Sequence, residues 1–284
     1  MPELPEVEIV RRGLAHLLTG FTFRSSQDLH PRTLKLASIG PLSNVIGSRI
    51  KSVKRRGKFL WFELDRDYAL VAHLGMTGQF LVAQKDRPMP GHVRAHFRLS
   101  RGFNNRNIVF NDRRTFGWLS IEHLTNGIPQ SALHIAVDPF DKKFDRNAVV
   151  MQMKSRKAEI KSVLLNQEIM SGVGNIYADE SLWRARIHPE TPARDLSVRK
   201  ISALVDSVTT VMGEAIEAGG TSFDALYINE NGESGYFKMP LAAYGQEHQS
   251  CPRCAGQIRR ISFGGRSSHF CPKCQGINPK RKAT

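Results

Sequence analysis

Pro2 and Glu3 are the residues of this chain best placed by type and position to do chemistry. The sequence opens Met1-Pro2-Glu3-Leu4-Pro5-Glu6, and a small second residue favours trimming of Met1. Trimming leaves Pro2 with a free secondary amine. Such an amine attacks a carbon next to oxygen and forms an iminium without any lysine. Glu3 sets a carboxyl group beside that amine. Taken alone, the same residues also read as a helix start, with Pro5 at a first helical position and Glu6 and Glu8 in the first turn.

The second chemical constellation is the cysteines. Cys251-Pro-Arg-Cys254 and Cys271-Pro-Lys-Cys274 are two Cys-x-x-Cys knuckles separated by sixteen residues. This spacing lets four thiolates meet one tetrahedral Zn²⁺, with an iron centre or a redox pair as the alternatives. All four positions would be filled by protein, so the zinc is expected to be structural, and a unit this small needs it to fold. Gly264-Gly265 predicts a tight turn between the knuckles, and Arg259, Arg260 and Arg266 lie around it. A zinc-stapled hairpin can present such arginines to a phosphate backbone. Each arginine alone also reads as a solvated surface charge.

Ser171-Gly-Val-Gly-Asn175-Ile-Tyr177 lies between two helical patterns. Its glycines allow a sharp turn, and Asn175 is expected to cap the helix that follows. Amides at a helix N-terminus form an anion site. A plain helical hairpin is the competing reading.

These groups need elements to position them. Leu4, Val7, Val10 and Leu14 predict a helix over 2–15. Residues from about 20 to 130 read as β, with strands at Phe59–Phe62, Ala69–Ala72 and Ile108–Phe110 and a loop over 85–94. A sandwich or barrel is expected there. Further on, Ile201, Leu204, Val205, Val208, Val211, Met212, Ala215 and Ile216 form one apolar helical stripe that Gly219-Gly220 ends. The chain carries 41 Lys+Arg against 26 Asp+Glu in 284 residues, a formal charge of +15. That excess points to a polyanion, most often nucleic acid. No apolar run is long enough to span a bilayer, and the N-terminus lacks a signal-peptide pattern, so a soluble cytoplasmic protein is expected.

Four motifs together resemble the formamidopyrimidine-DNA glycosylases, which remove oxidised purines from bacterial DNA. They are the Pro-Glu-Leu-Pro-Glu-Val-Glu start, His73-Leu-Gly-Met76-Thr-Gly78, Gly172-Val-Gly-Asn175-Ile-Tyr-Ala178, and the cysteine unit with Gly265-Arg266-Ser267. The resemblance covers essentially the whole chain. It implies an α+β multidomain fold: an N-terminal β-sandwich with flanking helices over 1–135, a linker over 136–152, a helix-two-turn-helix domain over 153–240, a four-cysteine zinc finger over 241–276 and a basic tail over 277–284. It implies base excision and β,δ-elimination on double-stranded DNA carrying oxidised bases, by a monomer.

Carried over residue by residue, the resemblance makes Pro2 the nucleophile at C1′ and Glu3 the general acid. Lys58 would assist proton transfer and bind phosphate, although by itself it reads as a strand-end surface lysine. Arg266 would grip phosphates at the lesion and act in the second elimination. Asn175 and Tyr244 match phosphate contacts, and His73, His92 and Arg156 match less closely. Met76, Arg114 and Phe116 would fill the space left by the flipped base. By themselves Met76 and Phe116 read as core residues.

The chain departs from the family in three places. Asp112-Arg-Arg114-Thr-Phe116-Gly117 lacks the proline that usually follows the aspartate, and Thr115 replaces a basic residue. Gln246 replaces the arginine usual after Tyr-Gly. The stretch 221–236 is one residue longer, with Thr221 and Ser222 as candidate base contacts. Two other readings are an endonuclease VIII-type enzyme for oxidised pyrimidines and a non-catalytic protein that binds damaged DNA. Leu4, Arg114 and Phe116 argue against the first. Pro2, Glu3 and Lys58 argue against the second.

Overall fold

The computed structural model describes residues 2–35, 38–83, 91–219 and 240–276. The chain divides into two compact units, one built mainly on Met1–His134 and the other on Ile135–Glu217 with the cysteine-bearing end.

The first unit begins with helix α1 (Leu4–Leu18), which buries Leu4, Val7, Val10, Leu14 and Leu18. Its start is set by Pro5, which needs no N–H partner in the first turn. Glu6 also accepts the Glu3 backbone N–H at 2.9 Å. Nine strands follow among the described residues: β1 (Thr22–Asp28), β2 (Ile50–Arg56), β3 (Phe59–Leu64), β4 (Tyr68–His73), β5 (Gly78–Ala83), β6 (Val93–Arg101), β7 (Asn104–Asp112), β8 (Trp118–Thr125) and β9 (Ile128–Pro129). They form two antiparallel sheets, ordered β1-β6-β7-β5 and β2-β3-β4-β8-β9.

Alternation along β3 explains the layering. Leu60, Phe62 and Leu64 enter the main core, while Trp61 joins Ala69 and Val71 on the opposite face. Phe62 meets Phe23 of β1 and Phe80 of β5 edge-on, with centroids 6.4 and 5.7 Å apart. These pairs cross from one sheet to the other, so the two sheets form a sandwich around an aromatic core. The helix runs three residues past its expected end. Of the loop expected at 85–94, Val93 and Arg94 already belong to β6.

The second unit contains α2 (Arg146–Lys154), α3 (Ile160–Leu165), α4 (Asn175–Arg184) and α5 (Val198–Glu217), then a hairpin of β10 (Arg259–Phe263) and β11 (Arg266–Phe270). Helix α2 starts inside the stretch 136–152 expected as linker. The Asp145 carboxylate caps it by accepting the Ala148 N–H at 3.0 Å, and Val149, Val150 and Met153 bury its inner face. The α5 stripe is buried except at Ile216, which is half-buried, and Gly219 follows the helix at φ +86°. Gly264 and Gly265 turn the hairpin at φ +51° and +74°, the left-handed conformations such a two-residue turn requires. Among the described residues, no helix is long and apolar enough to cross a membrane.

An ion pair with no solvent exposure ties this unit together. Lys161 Nζ of α3 lies 2.7 Å from Asp179 Oδ1 of α4. Lys161 also donates to the Ser267 carbonyl at 3.0 Å. Asp179 accepts from Ser268 Oγ and from the His269 N–H, each at 2.8 Å. The pair therefore joins two helices to the middle of β11. Removing one member of a buried pair leaves the other charge uncompensated. Asp179→Ala is expected to destabilise this unit by ~3–5 kcal/mol, read by denaturant unfolding, with Lys161→Met in the same chain recovering part of the loss. A loss below ~1 kcal/mol would show a solvated surface pair instead.

Candidate active site and nucleic-acid interface

Pro2 and Glu3 precede α1 and are both buried, Glu3 with 2% of its surface exposed. Met1 lies outside the described residues. One turn into α1, Glu8 gathers three arginines. It accepts from Arg11 Nη2 at 2.8 Å, Arg12 Nε at 2.8 Å and Arg55 Nε at 3.1 Å. Burial alone would raise the Glu8 pKa, but the bonds from Arg11 and Arg12 and the charge of Arg55 outweigh it and lower it to about 2. Arg55 also donates through Nη1 to the Gly57 carbonyl at 3.1 Å. This chain of contacts ties the first turns of α1 to the β2–β3 turn. That turn carries Lys58, which is 8% exposed. The sequence reading of a surface lysine is therefore corrected: a lysine held in the turn by Gly57 at φ +54° is covered by its neighbours.

His73 ends β4. Its ring stacks on Trp118 at 5.7 Å and meets Phe59 edge-on at 5.2 Å. Its Nδ1 accepts the Gly75 N–H at 3.1 Å, which places the proton of the neutral ring on Nε2. Burial, then the charges of Lys58 and Lys35, lower its pKa from 6.5 to about 4.

Two loops follow the strand ends nearby. Met76, between β4 and β5, is 42% exposed, and Phe116, between β7 and β8, is 54% exposed. Read alone, both residues suggested core; the structure puts them on the surface. Arg114 is exposed, with its guanidinium 4.9 Å from the centroid of the Phe116 ring. His92 is exposed, and its carbonyl accepts the Asp112 N–H at 2.9 Å.

In the second unit, the expected cap at Asn175 moves back one residue. Gly174 occupies the N-cap, and Asn175 is the first helical residue of α4. Its Nδ2 donates to the Ser267 carbonyl at 2.9 Å, so the side chain spans from the helix start to β11. Arg266 stands exposed at the hairpin tip beside Ser267. Tyr244 packs edge-on against His269 at 5.2 Å. Its backbone N–H and that of Ala243 donate to Glu180 Oε1, each at 2.8 Å, and that of Ala242 donates to Oε2 at 2.9 Å. Burial holds Glu180 above the ordinary carboxylate range against the pull of these three bonds, and the Asp179 charge adds to the rise. Arg156 is exposed in the turn after α2. Thr221 and Ser222 lie outside the described residues.

The four cysteine sulfurs lie within 4.8 Å of one another. Cys254 and Cys271 are 3.5 Å apart, and Cys251 and Cys274 are 3.9 Å apart. Four thiols converging without disulfides suit one tetrahedral Zn²⁺. Filled by Cys251, Cys254, Cys271 and Cys274, the site has no open position for a substrate, so the ion's role is to fold the hairpin.

The sequence matches three family models in order. They are the formamidopyrimidine-DNA glycosylase N-terminal domain over residues 1–119, the formamidopyrimidine-DNA glycosylase H2TH domain over 135–226, and the zinc finger found in FPG and IleRS over 249–276. The chain belongs to the formamidopyrimidine-DNA glycosylase family. It is 48% identical to the formamidopyrimidine-DNA glycosylase of Corynebacterium glutamicum (strain R), over 97% of this chain and 99% of that one. The enzyme so named from Mycobacterium leprae is 46% identical, over 97% of this chain and 98% of its own. The fold is similar to that of the MutM (Fpg) protein of Thermus thermophilus, with a TM-score of 0.83 and 37% identity over 98% of this chain and 100% of that one. It is similar also to the Lactococcus lactis Fpg in complex with DNA containing an abasic site, with a TM-score of 0.84 and 32% identity over 97% of this chain and 100% of that one.

The family's motifs supply candidate site residues, but not the charged groups packed beside them. Sequence alone marked Glu8 only as a helix-start acid and assigned no role to Arg55, Lys161, Asp179 or Glu180. The signal they left was a charged residue inside an otherwise apolar helical stretch, as in Ile160-Lys161-Ser162-Val163 and Tyr177-Ala178-Asp179-Glu180.

His73 generates a test of pH behaviour. Its proton binds more weakly in the fold than in the unfolded chain, where the pKa is about 6.5. The stability contributed by its neutral form is complete above that value and falls as pH drops from about 6.5 towards 4. Its ring resonances should titrate with a midpoint near 4, and His73→Gln should flatten the stability profile across this interval. A midpoint near the ordinary histidine value of about 6.5 would contradict the packing described.

Proposed function

We propose that Pro2, freed by removal of Met1, attacks C1′ of a damaged nucleotide in duplex DNA. The chain is a bifunctional base-excision glycosylase acting on oxidised purines, and its strand cleavage follows from the same covalent chemistry. An α-amine titrates at about 7.7–8.0, so only on the order of a tenth is neutral at pH 7. The Lys58 cation favours the neutral, nucleophilic form. Glu3, buried beside that amine, is placed to deliver a proton as the base leaves. The C1′–N bond to the base breaks as the Pro2 nitrogen bonds to C1′. The nitrogen then loses its proton, the C1′–O4′ bond opens with a proton taken up by O4′, and the iminium so formed acidifies the sugar protons at C2′. β-Elimination and then δ-elimination release the two phosphates.

The damaged base must leave the stack first. Met76 and Phe116 fill the space it leaves, and Arg114 hydrogen-bonds the base left opposite. Their exposure supports this role, since a side chain buried in the core could not enter the base stack. His73, His92, Arg156, Asn175, Tyr244 and Arg266 bind phosphates. His73 does so as a neutral donor through Nε2. Arg266 also acts in the second elimination. The zinc shapes the hairpin that carries Arg266 and takes no part in bond breaking. The protein works as a cytoplasmic monomer, with the sandwich as the catalytic domain and the helices and finger as the DNA-binding domains.

The observation that carries this reading is the joint occurrence of a buried Pro2-Glu3 start and a buried Lys58 with family matches along the chain. Pro2→Gly should abolish excision of 8-oxoguanine opposite cytosine while duplex binding persists. Glu3→Gln should slow base release by ~10²–10⁴-fold. Unchanged excision by Pro2→Gly would remove the proposed nucleophile.

A further inference from the structure

The loop bearing Arg114 and Phe116 lacks the family's stiffening proline, yet three bonds to one buried carboxylate hold it. Asp112, the last residue of β7, has no exposed surface. Its Oδ2 accepts the Gly117 N–H at 2.7 Å. Its Oδ1 accepts the Arg114 N–H at 3.2 Å and the Thr77 hydroxyl. Thr77 Oγ1 in turn accepts from the same Arg114 N–H at 3.1 Å. Thr77 belongs to the other loop, next to Met76.

A second observation brings the two loops together independently. Gly75 sits at φ +59°, and a Cβ there would lie 2.4 Å from the Phe116 carbonyl carbon and 2.5 Å from the Gly117 nitrogen. The backbones of the two loops therefore touch, which only glycine at position 75 allows. Thr115 pulls the other way. Its φ of +54° is a conformation that β-branched residues rarely adopt. The bonds on either side of Thr115, at Arg114 and Gly117, hold it there.

We propose that Asp112 and Thr77 are positioning residues that latch the Met76 loop and the Arg114–Phe116 loop into one wedge, and that this latch sets how strictly the base opposite the lesion is discriminated. The proposal rests on the wedge role assigned above. Arg114 can select a base only if its backbone has one orientation, and the Thr77 hydroxyl is the one link of the latch that comes from the opposite loop.

The test compares excision of 8-oxoguanine opposite cytosine and opposite adenine by the full-length, zinc-loaded protein. Cleavage at an abasic site in single-stranded DNA serves as a readout that needs no wedge. Thr77→Val should lower the preference for cytosine over adenine by roughly fivefold, the size of one net hydrogen bond. It should leave single-strand cleavage unchanged, and Thr77→Ser should restore the preference. An unchanged preference would overturn the latch. So would an equal loss on all three substrates, which would mean general damage to the fold. Amide exchange provides a readout free of activity: the Arg114 and Gly117 N–H groups should be protected in the parent protein, and Thr77→Val should speed Arg114 exchange by roughly fivefold. If the parent protein excises neither base yet shows this exchange pattern, the glycosylase reading fails and the latch stands. Unprotected amides in the parent protein would overturn the latch itself.

Discussion

The arrangement of the second unit depends on the Asp179 carboxylate. It faces Lys161 from α3, and the Ser268 hydroxyl and His269 N–H from β11. A bare carboxylate in a site without solvent costs far more than a folded domain can spare. These partners must therefore all be in place together, or none is stable. The consequence is rigidity where it serves the site. The hairpin tip with Arg266 and the α4 start with Asn175 are fixed to one another through Ser267, whose carbonyl accepts from both Lys161 and Asn175. Zinc holds the hairpin at its base. Asp179 holds it at the middle of β11.

The first unit uses carboxylates in the same way. Glu8 joins α1 to β2 through Arg55, and Arg55 reaches on to the turn that carries Lys58. Asp112 closes the loops that carry Met76, Arg114 and Phe116. In each case a short, acceptor-only side chain collects several donors from separate segments. Met76, Arg114, Phe116 and Arg266 are exposed, and the carboxylates that hold their segments are buried. This division explains how a chain with a formal charge of +15 carries buried acids at its functional points.

Much of this was legible in the sequence, for physical reasons. Runs of large and branched apolar residues between turn residues are a strong signal, so the β region was legible at Phe59–Phe62, Ala69–Ala72 and Ile108–Phe110. The cysteine spacing and the Gly264-Gly265 turn each admit few structures. Exposure of large apolar side chains was not legible. Met76 and Phe116 have the residue types of a core, and only their loops place them outside it. The surface reading of Lys58 failed for the converse reason, since nothing local announces that a turn lysine will be covered. The N-cap shifted from Asn175 to Gly174 because the Asn175 amide is engaged with the Ser267 carbonyl, a partner distant in sequence. Long-range polar contacts such as Lys161–Asp179 leave only a faint mark, a charge within an apolar run.

The role of the Pro2 amine as the reacting group is tested most directly by borohydride trapping on a duplex with one 8-oxoguanine opposite cytosine, using protein whose N-terminal mass shows Met1 absent and whose zinc is bound. Reduction of the iminium should leave a covalent adduct that maps to the peptide beginning at Pro2. An adduct on a lysine, or none at all from such protein, would contradict the account.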